Sequence, residues 1–479
     1  MLALGAARTR LCQVATGPIL RLQARRSYST KRPSSNRTRD IAIASLVTTQ
    51  GLWWFMTTCD DDVPRLENSP TKHLVVDPGP SKDSVTQVIS QGAYSFPVKN
   101  FAGVNRYDGA QLASNSPCED RFTHGKIAPL WDEGNPWMAW AVFDGHAGWQ
   151  TAALLEKQLL PYMRRSLCQI KPPSSAEYVP EELVQEAIVE AFVSLDDSII
   201  KTASATSQSN DSLPQKVTKL LPAYAGSCAL LSLYDPVSST LHVACTGDSR
   251  AVLGQQQPDG TWEAIPLSVD QTGSNKDEIT RLHKEHPGEE NIVKDGRVLG
   301  MMVSRAFGDS RWKWSLDFQR DMRRRFYGPA PLTPRYDVRT PPYLTAEPVV
   351  TSTKIDPRTP SFLVMATDGM WDTVSSQQAI DLVGKWLEVQ TAGKKVDHLG
   401  ATYEPFDFGH FWNGVSWKFV ERTIVQDNNA AVHLVRNSLG GNHHELVAGR
   451  LAFSAPFSRN VRDDITVQVV FFNVPGLGR

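Results

Sequence analysis

Apolar positions along this chain fall into two rhythms. Short apolar runs at 140–143, 228–234, 241–245, 251–253, 362–366 and 465–472 predict strands. Between them the spacing becomes helical. Leu154, Leu155, Leu159 and Tyr162 share one face within 149–165, and Leu183, Ala187, Ile188, Ala191, Phe192, Leu195 and Ile199 share one face of a second helix. The Ser/Thr/Asn-rich stretch 201–215 reads as a loop, and the Pro-, Ser- and Asp-rich stretch 66–91 as a linker. The runs 228–234 and 241–245 lie too close for a helix between them. The pattern therefore predicts an α+β fold, with antiparallel sheets and grouped helices, rather than a doubly wound sheet.

Composition sharpens this picture at the amino terminus. The chain has 479 residues, 41% hydrophobic and 21% charged, enough for a sizeable core. Its formal net charge of −1 is unevenly spread: residues 1–39 hold nine Lys or Arg and no acid, leaving 41 bases against 51 acids from residue 40 onward. An acidic body argues against nucleic-acid binding. Six cysteines without a CxxC spacing suit small buried side chains better than a zinc site or a disulfide framework.

The Arg-rich, Ser-bearing, acid-free segment 1–39 has the composition of a mitochondrial presequence, with a disordered basic arm as the plainer alternative. An uncharged stretch at 41–59 follows, ended by Asp60, Asp61 and Asp62. It is close to the roughly 20 residues that span a bilayer, but only moderately apolar. Residues 40–62 are therefore read either as a membrane or sorting segment or as a helix packed on the domain. The former would associate the chain with the inner membrane and turn its body toward the intermembrane space; otherwise it lies in the matrix. The expected order is presequence 1–39, this segment 40–62, linker 63–92 and a folded domain 93–475 with an insertion at 311–347.

Carboxylates gather where predicted strands begin or end. The groups are Glu119-Asp120, Asp144-Gly145-His146, Asp248, Thr367-Asp368-Gly369 and Asp463-Asp464. Singly, an Asp-Gly pair is a turn signal. Jointly, so many acids in one place would repel unless cations neutralise them, and oxygen ligands without Cys or paired His point to Mg²⁺ or Mn²⁺ rather than zinc. Gly145 allows a tight turn and a close carbonyl, and His146 is near enough for acid–base work.

Five ordered motifs, VFDGHAG, TGDSRAVLG, VSRAFGD, MATDGMWD and RDDITVQVV, resemble the metal-dependent Ser/Thr phosphatases of the protein phosphatase 2C type. The resemblance runs from about residue 93 to 473. It implies a sandwich of two antiparallel sheets flanked by helices, with a binuclear Mg²⁺ or Mn²⁺ centre at one end and a third, looser metal position. It further implies that Asp144 bridges two metals, that the Gly145 carbonyl and Glu119 complete one site, and that Asp368 and Asp463 hold the other. Asp248 would serve the third position, Asp120 would orient the attacking water, and His146 would protonate the leaving Ser or Thr oxygen. His146 as a purely structural side chain and Asp120 as a support for neighbouring ligands are the plainer alternatives.

Four further stretches, NSPCEDRF, FGDSRWKWSLDFQR, TPPYLTAEP and QDNNAAVHLVRNSLG, resemble the pyruvate dehydrogenase phosphatases within that family. This implies a phosphoprotein substrate, the alpha subunit of the pyruvate dehydrogenase complex. The general family has an arginine that clasps the substrate phosphate where this chain has Asn115. An amide donates hydrogen bonds without charge, so weak use of small phosphate esters is expected. In the insertion, Trp312, Trp314, Arg320, Arg323, Arg324 and Arg325 suit either a partner-binding surface or a helix with a solvated basic face. The competing functions are the same chemistry on another mitochondrial phosphoprotein, or a pseudophosphatase that only binds partners. The full set of expected ligand carboxylates argues against the latter.

Overall fold

The computed structural model describes residues 80–128, 135–170, 179–392 and 424–477. They all fall within one compact unit, Val76–Arg479. The expected presequence and the candidate segment 41–59 lie outside the described residues; among those described, no helix is long and apolar enough to cross a membrane.

One antiparallel sheet has the order β1 (Tyr94–Pro97), β2 (Val104–Leu112), β16 (Ile465–Phe472), β15 (Ser361–Ala366), β9 (Arg250–Gln256) and β10 (Trp262–Pro266). A second has the order β14 (Val349–Lys354), β8 (Thr240–Thr246), β7 (Ala229–Asp235), β4 (Trp137–Phe143) and β3 (Arg121–Ile127). A small third sheet joins β13 (Phe307–Gly308), β6 (Gly226–Ser227) and β5 (Gly145–His146), and β11 (Val293–Lys294) with β12 (Arg297–Val298) makes a hairpin.

The two large sheets pack face to face. Successive strand residues point to opposite faces, so a strand in this position must be apolar on both. In β4, Met138, Trp140 and Val142 enter the core between the sheets, whereas Trp137, Ala139, Ala141 and Phe143 meet the outer helices. In β15, Leu363 and Met365 face inward, and Phe362, Val364 and Ala366 face the helices on the other side. Helices Gln150–Gln169, Glu181–Gln208, Leu213–Tyr224 and Leu316–Phe326 cover the β4 sheet. Helices Lys82–Ile89, Ser376–Ala392, Ala430–Leu439 and His444–Ala452 cover the β15 sheet. The result is the expected α+β sandwich of two antiparallel sheets between helical layers.

Two expectations are corrected. The stretch read as a linker contains a helix, Lys82–Ile89, capped by Ser81, with Val85 and Ile89 buried in the core. The stretch read as a loop is mostly helical: Glu181–Gln208 continues through the Ser/Thr-rich segment because Ala203, Thr206 and Ser207 are buried on its face. Tertiary burial here overrides weak local propensity. In the insertion, Trp314 is buried against Tyr224 and Phe318, and Trp312 donates its indole N–H to the Leu299 carbonyl. Both tryptophans take part in internal packing, Trp314 buried and Trp312 partly so. Arg320 pairs with Asp317, and Arg324 and Arg325 with Asp321, as a solvated charged face does. Of the cysteines, Cys228 and Cys245 are buried, whereas Cys168 is exposed.

The strand register fixes where the acidic segments meet. It pairs Leu112 with Ile465 and Ala366 with both Val467 and Arg250; in the other sheet it pairs Arg121 with Phe143 and Ala229 with Thr246. Short links join 112 to 121 and 246 to 250 across the two sheets. The segments 113–120, 144–148, 247–249, 367–372 and 462–464 therefore converge at one end of the sandwich.

Candidate metal and acid–base site

Asp144, Asp248 and Asp368 each leave a strand end at this pole, and their carboxylate oxygens lie within 4.8 Å of one another. Among the described residues, no lysine or arginine hydrogen-bonds to any of the three. Burial, with Asp368, Asp120 and Asp248 nearby, raises Asp144 well above the usual carboxylate range. Burial and Asp368 push Asp248 up to about 7. Three crowded oxygen ligands lacking a counter-charge fit a hard divalent cation, which would restore them to their ionised forms.

Asp120 is fully enclosed. Its Oδ2 accepts from Thr367 Oγ1 at 2.9 Å and from Thr466 Oγ1 at 2.8 Å, so it is held between the ends of β15 and β16. Burial and Asp464 push it up to about 8. Glu119 is half-buried, which raises it, while the Gly148 N–H bonded to it works the other way.

The tight turn expected at Gly145 is made by the residues that follow it. The left-handed residues of the turn are Ala147 (φ 56°) and Gly148 (φ 127°). A Cβ at Gly145 would stand 2.3 Å from the Glu119 carbonyl oxygen, so its bare Cα lets the 144–146 and 119–120 segments touch.

Asp463 is not one of the three clustered carboxylates. It accepts from the Asp464 N–H at 2.6 Å and pairs with Arg459. It does stand beside the Asp368 segment, since a Cβ on Gly369 would lie 3.1 Å from the Asp463 Cβ. Its neighbour Asp464 is the buried acid, and sequence reasoning gave it no role. Asp464 Oδ1 accepts from the Ser114 and Asn115 N–H groups, and Oδ2 from the Glu119 N–H at 2.8 Å. It shapes the whole 114–119 segment. Asn115 also differs from expectation: its Nδ2 donates to Glu119 Oε2 at 3.1 Å and to Asp464 Oδ2 at 3.2 Å. The amide nitrogen is thus engaged by two carboxylates.

The candidate acid–base group, His146, has a partner that spacing did not expose. His146 Nε2 lies 2.6 Å from Asp309 Oδ2. The three-stranded sheet brings them together, because β6 pairs with both β5 and β13. Gly226 in β6 makes the space: a Cβ there would be 2.1 Å from His146 Nε2 and 2.3 Å from Asp309 Oδ2. Burial alone would lower the imidazole, but Asp309, aided by Asp248 and Glu119, outweighs it and holds His146 above its ordinary value. An acidic cation site thus adjoins a histidine biased toward its protonated form. The signal for Asp309 was present only as the last residue of VSRAFGD.

Comparison with known proteins agrees with this geometry. The family described as Protein phosphatase 2C matches residues 110–401. A protein phosphatase 2C homolog of Schizosaccharomyces pombe is 42% identical over 423 residues, covering 86% of this chain and 90% of that protein. The mitochondrial pyruvate dehydrogenase (acetyl-transferring) phosphatase 1 of Saccharomyces cerevisiae is 34% identical, covering 79% of this chain and 70% of its own length. Its Homo sapiens namesake is 32% identical, covering 88% and 87%. With the carboxylates gathered at one pole and matches spanning most of its length, the chain belongs to the protein phosphatase 2C family and resembles the pyruvate dehydrogenase phosphatases within it.

Proposed function

We propose that this chain is a mitochondrial, Mg²⁺- or Mn²⁺-dependent protein Ser/Thr phosphatase whose substrate is the phosphorylated pyruvate dehydrogenase complex. The observation that carries the chemistry is the trio Asp144, Asp248 and Asp368, with oxygens within 4.8 Å and, among the described residues, no lysine or arginine hydrogen-bonded to them. In this reading Asp144, Asp368 and Asp463, with Glu119 and the Gly145 carbonyl, hold two cations, and Asp248 holds a third. When bound, such cations lower the pKa of water and neutralise phosphoryl oxygens.

The chain's own groups do the rest. His146 gives its proton to the leaving Ser or Thr oxygen. Its Nε2 faces Asp309, which leaves Nδ1 to meet the substrate. Asp309 keeps the ring charged and aimed. Asp120, fixed by Thr367 and Thr466, orients the attacking water. Asp464 and Asn115 set the position of Glu119. The substrate assignment is supported by relatives of 32–34% identity bearing that activity in their names, and by the presequence-like composition of residues 1–39.

The test is phosphate release from phosphorylated pyruvate dehydrogenase complex, with Mg²⁺ and with EDTA, beside an Asp144→Asn variant. Metal-dependent release that the variant loses is the expected result. Release from a generic phosphopeptide alone would retain the chemistry and discard the substrate. No release from either would leave a binding-only protein.

A further inference from the structure

A phosphate monoester carries up to two negative charges, and Asn115 offers it neither charge nor a spare amide proton. Three other arginines at this end of the sandwich are engaged. Arg121 donates to the Cys118 and Asp120 carbonyls, and Arg250 makes two bonds to Asp270. Arg462 donates to the carbonyls of Ala113, Arg450 and Phe453.

Arg459 is different. It sits on the turn Phe457–Asn460, just before the acidic segment that opens β16. Ser458 Oγ bonds the Ser114 carbonyl, tying that turn to the Asn115–Glu119 segment. Among the described residues, the Arg459 side chain, 43% exposed, makes one ion pair, to Asp463. A guanidinium has five donors in a planar fork that matches phosphate oxygens, so most of them remain open. Its partner Asp463 stands beside the Asp368 segment, since a Cβ on Gly369 would lie 3.1 Å from the Asp463 Cβ, so the guanidinium sits at the rim of the acidic site.

We propose that Arg459 is the phosphate-binding cation of this site. Asp463 holds the guanidinium at the rim, and its open N–H groups bind the non-bridging oxygens of the substrate phosphoryl group. Arg459 thus supplies the charge that Asn115 lacks. The assignment rests on the phosphatase reading above.

The test uses the full chain, its Arg459→Gln and Arg459→Lys variants, and inorganic phosphate as the probe. Calorimetry measures Mg²⁺ affinity, then phosphate affinity of the Mg²⁺-loaded protein; phosphate is also used as inhibitor of p-nitrophenyl phosphate hydrolysis. In Arg459→Gln both phosphate constants should weaken about tenfold or more, as expected for a lost charged hydrogen bond. Arg459→Lys should lose less, and Mg²⁺ should bind at least as tightly as in the parent, with melting temperature unchanged. Phosphate constants within about twofold of the parent would overturn the proposal. So would a loss of phosphate affinity matched by an equal loss of Mg²⁺ affinity, which would make Arg459 a support for the acidic cluster. Absence of Mg²⁺-dependent hydrolysis by the parent would strike the phosphatase reading instead, while the phosphate titration still decides the role of Arg459.

Discussion

His146 Nε2 and Asp309 Oδ2 stand 2.6 Å apart although 163 residues separate them in the chain. The carboxylate raises the imidazole pKa above its ordinary value, so the ring is a better-populated acid near neutrality. In its proposed role of proton donor, His146 must be protonated to act. Asp309→Asn should therefore move the alkaline limb of the kcat profile to lower pH, while His146→Gln should cost about 10²–10⁴ in kcat. The linkage has a definite sign. The folded ring holds its proton more tightly than the unfolded one, so the pair's contribution to stability is complete below about pH 6.5 and fades as pH rises through the folded value. An unshifted alkaline limb in Asp309→Asn would remove Asp309 from the acid–base group.

Gly226 tests the same pair by shape alone. A Cβ there would lie within 2.1 Å of His146 Nε2 and 2.3 Å of Asp309 Oδ2, so Gly226→Ala must force them apart. Because the side chains can shift, the stability loss should stay near 1–3 kcal/mol, the usual range for overpacking. The kcat profile should change as in Asp309→Asn. Urea unfolding and a pH series on one preparation separate the two effects; a kcat profile identical to the parent's would show that the pair is dispensable.

Adjacent acids Asp463 and Asp464 should behave differently. Asp464 accepts from three backbone N–H groups, those of Ser114, Asn115 and Glu119. In Asp464→Asn the amide nitrogen would face donors, at a cost of about 1–3 kcal/mol for the unsatisfied groups. Metal affinity should fall with it, because Glu119 loses its anchor. Asp463→Asn removes an acid whose side chain is 30% exposed, so stability should change little while metal affinity falls. Chemical denaturation and Mg²⁺ titration of both variants decide this: equal destabilisation would remove the distinction drawn here.

The core strands were legible because both of their faces are buried, so β4 and β15 read as nearly continuous apolar runs and β16 as one broken only by Thr466 and Gln468. Strands such as β14, whose VVTSTK is mostly half-exposed, offered no such run and escaped notice. The acidic pole was legible as carboxylates at strand ends. Which carboxylates cluster was not, because that depends on register between distant strands. Asp464 was hidden behind Asp463 by adjacency, and Asp309 by distance. Asn115 was expected at the substrate, yet its amide protons serve Glu119 and Asp464. Residue type indicated a donor; only packing shows what receives it.

Metal removal should make the protein sensitive to alkali. Asp248 is pushed up to about 7 and Asp120 to about 8, both far above the roughly 3.9 of an unfolded aspartate. Acids with raised native pKa values favour the folded state while protonated. Their contribution is complete below about pH 4 and is lost as pH climbs through 7 and 8, where each must ionise beside other carboxylates. A bound divalent cation reverses the sign of that crowding. In EDTA, the melting temperature should fall steadily between about pH 5 and 8.5. Mg²⁺ at a hundredfold excess over its Kd should add about 2.7 kcal/mol, with the gain larger at the alkaline end, where binding need not displace protons. Asp248→Asn removes one of the repelling acids. It should flatten the EDTA curve and shrink the protection by Mg²⁺. Melting curves with and without Mg²⁺ across this range measure both effects, and a Mg²⁺ gain independent of pH would show that these carboxylates are not where the cation binds.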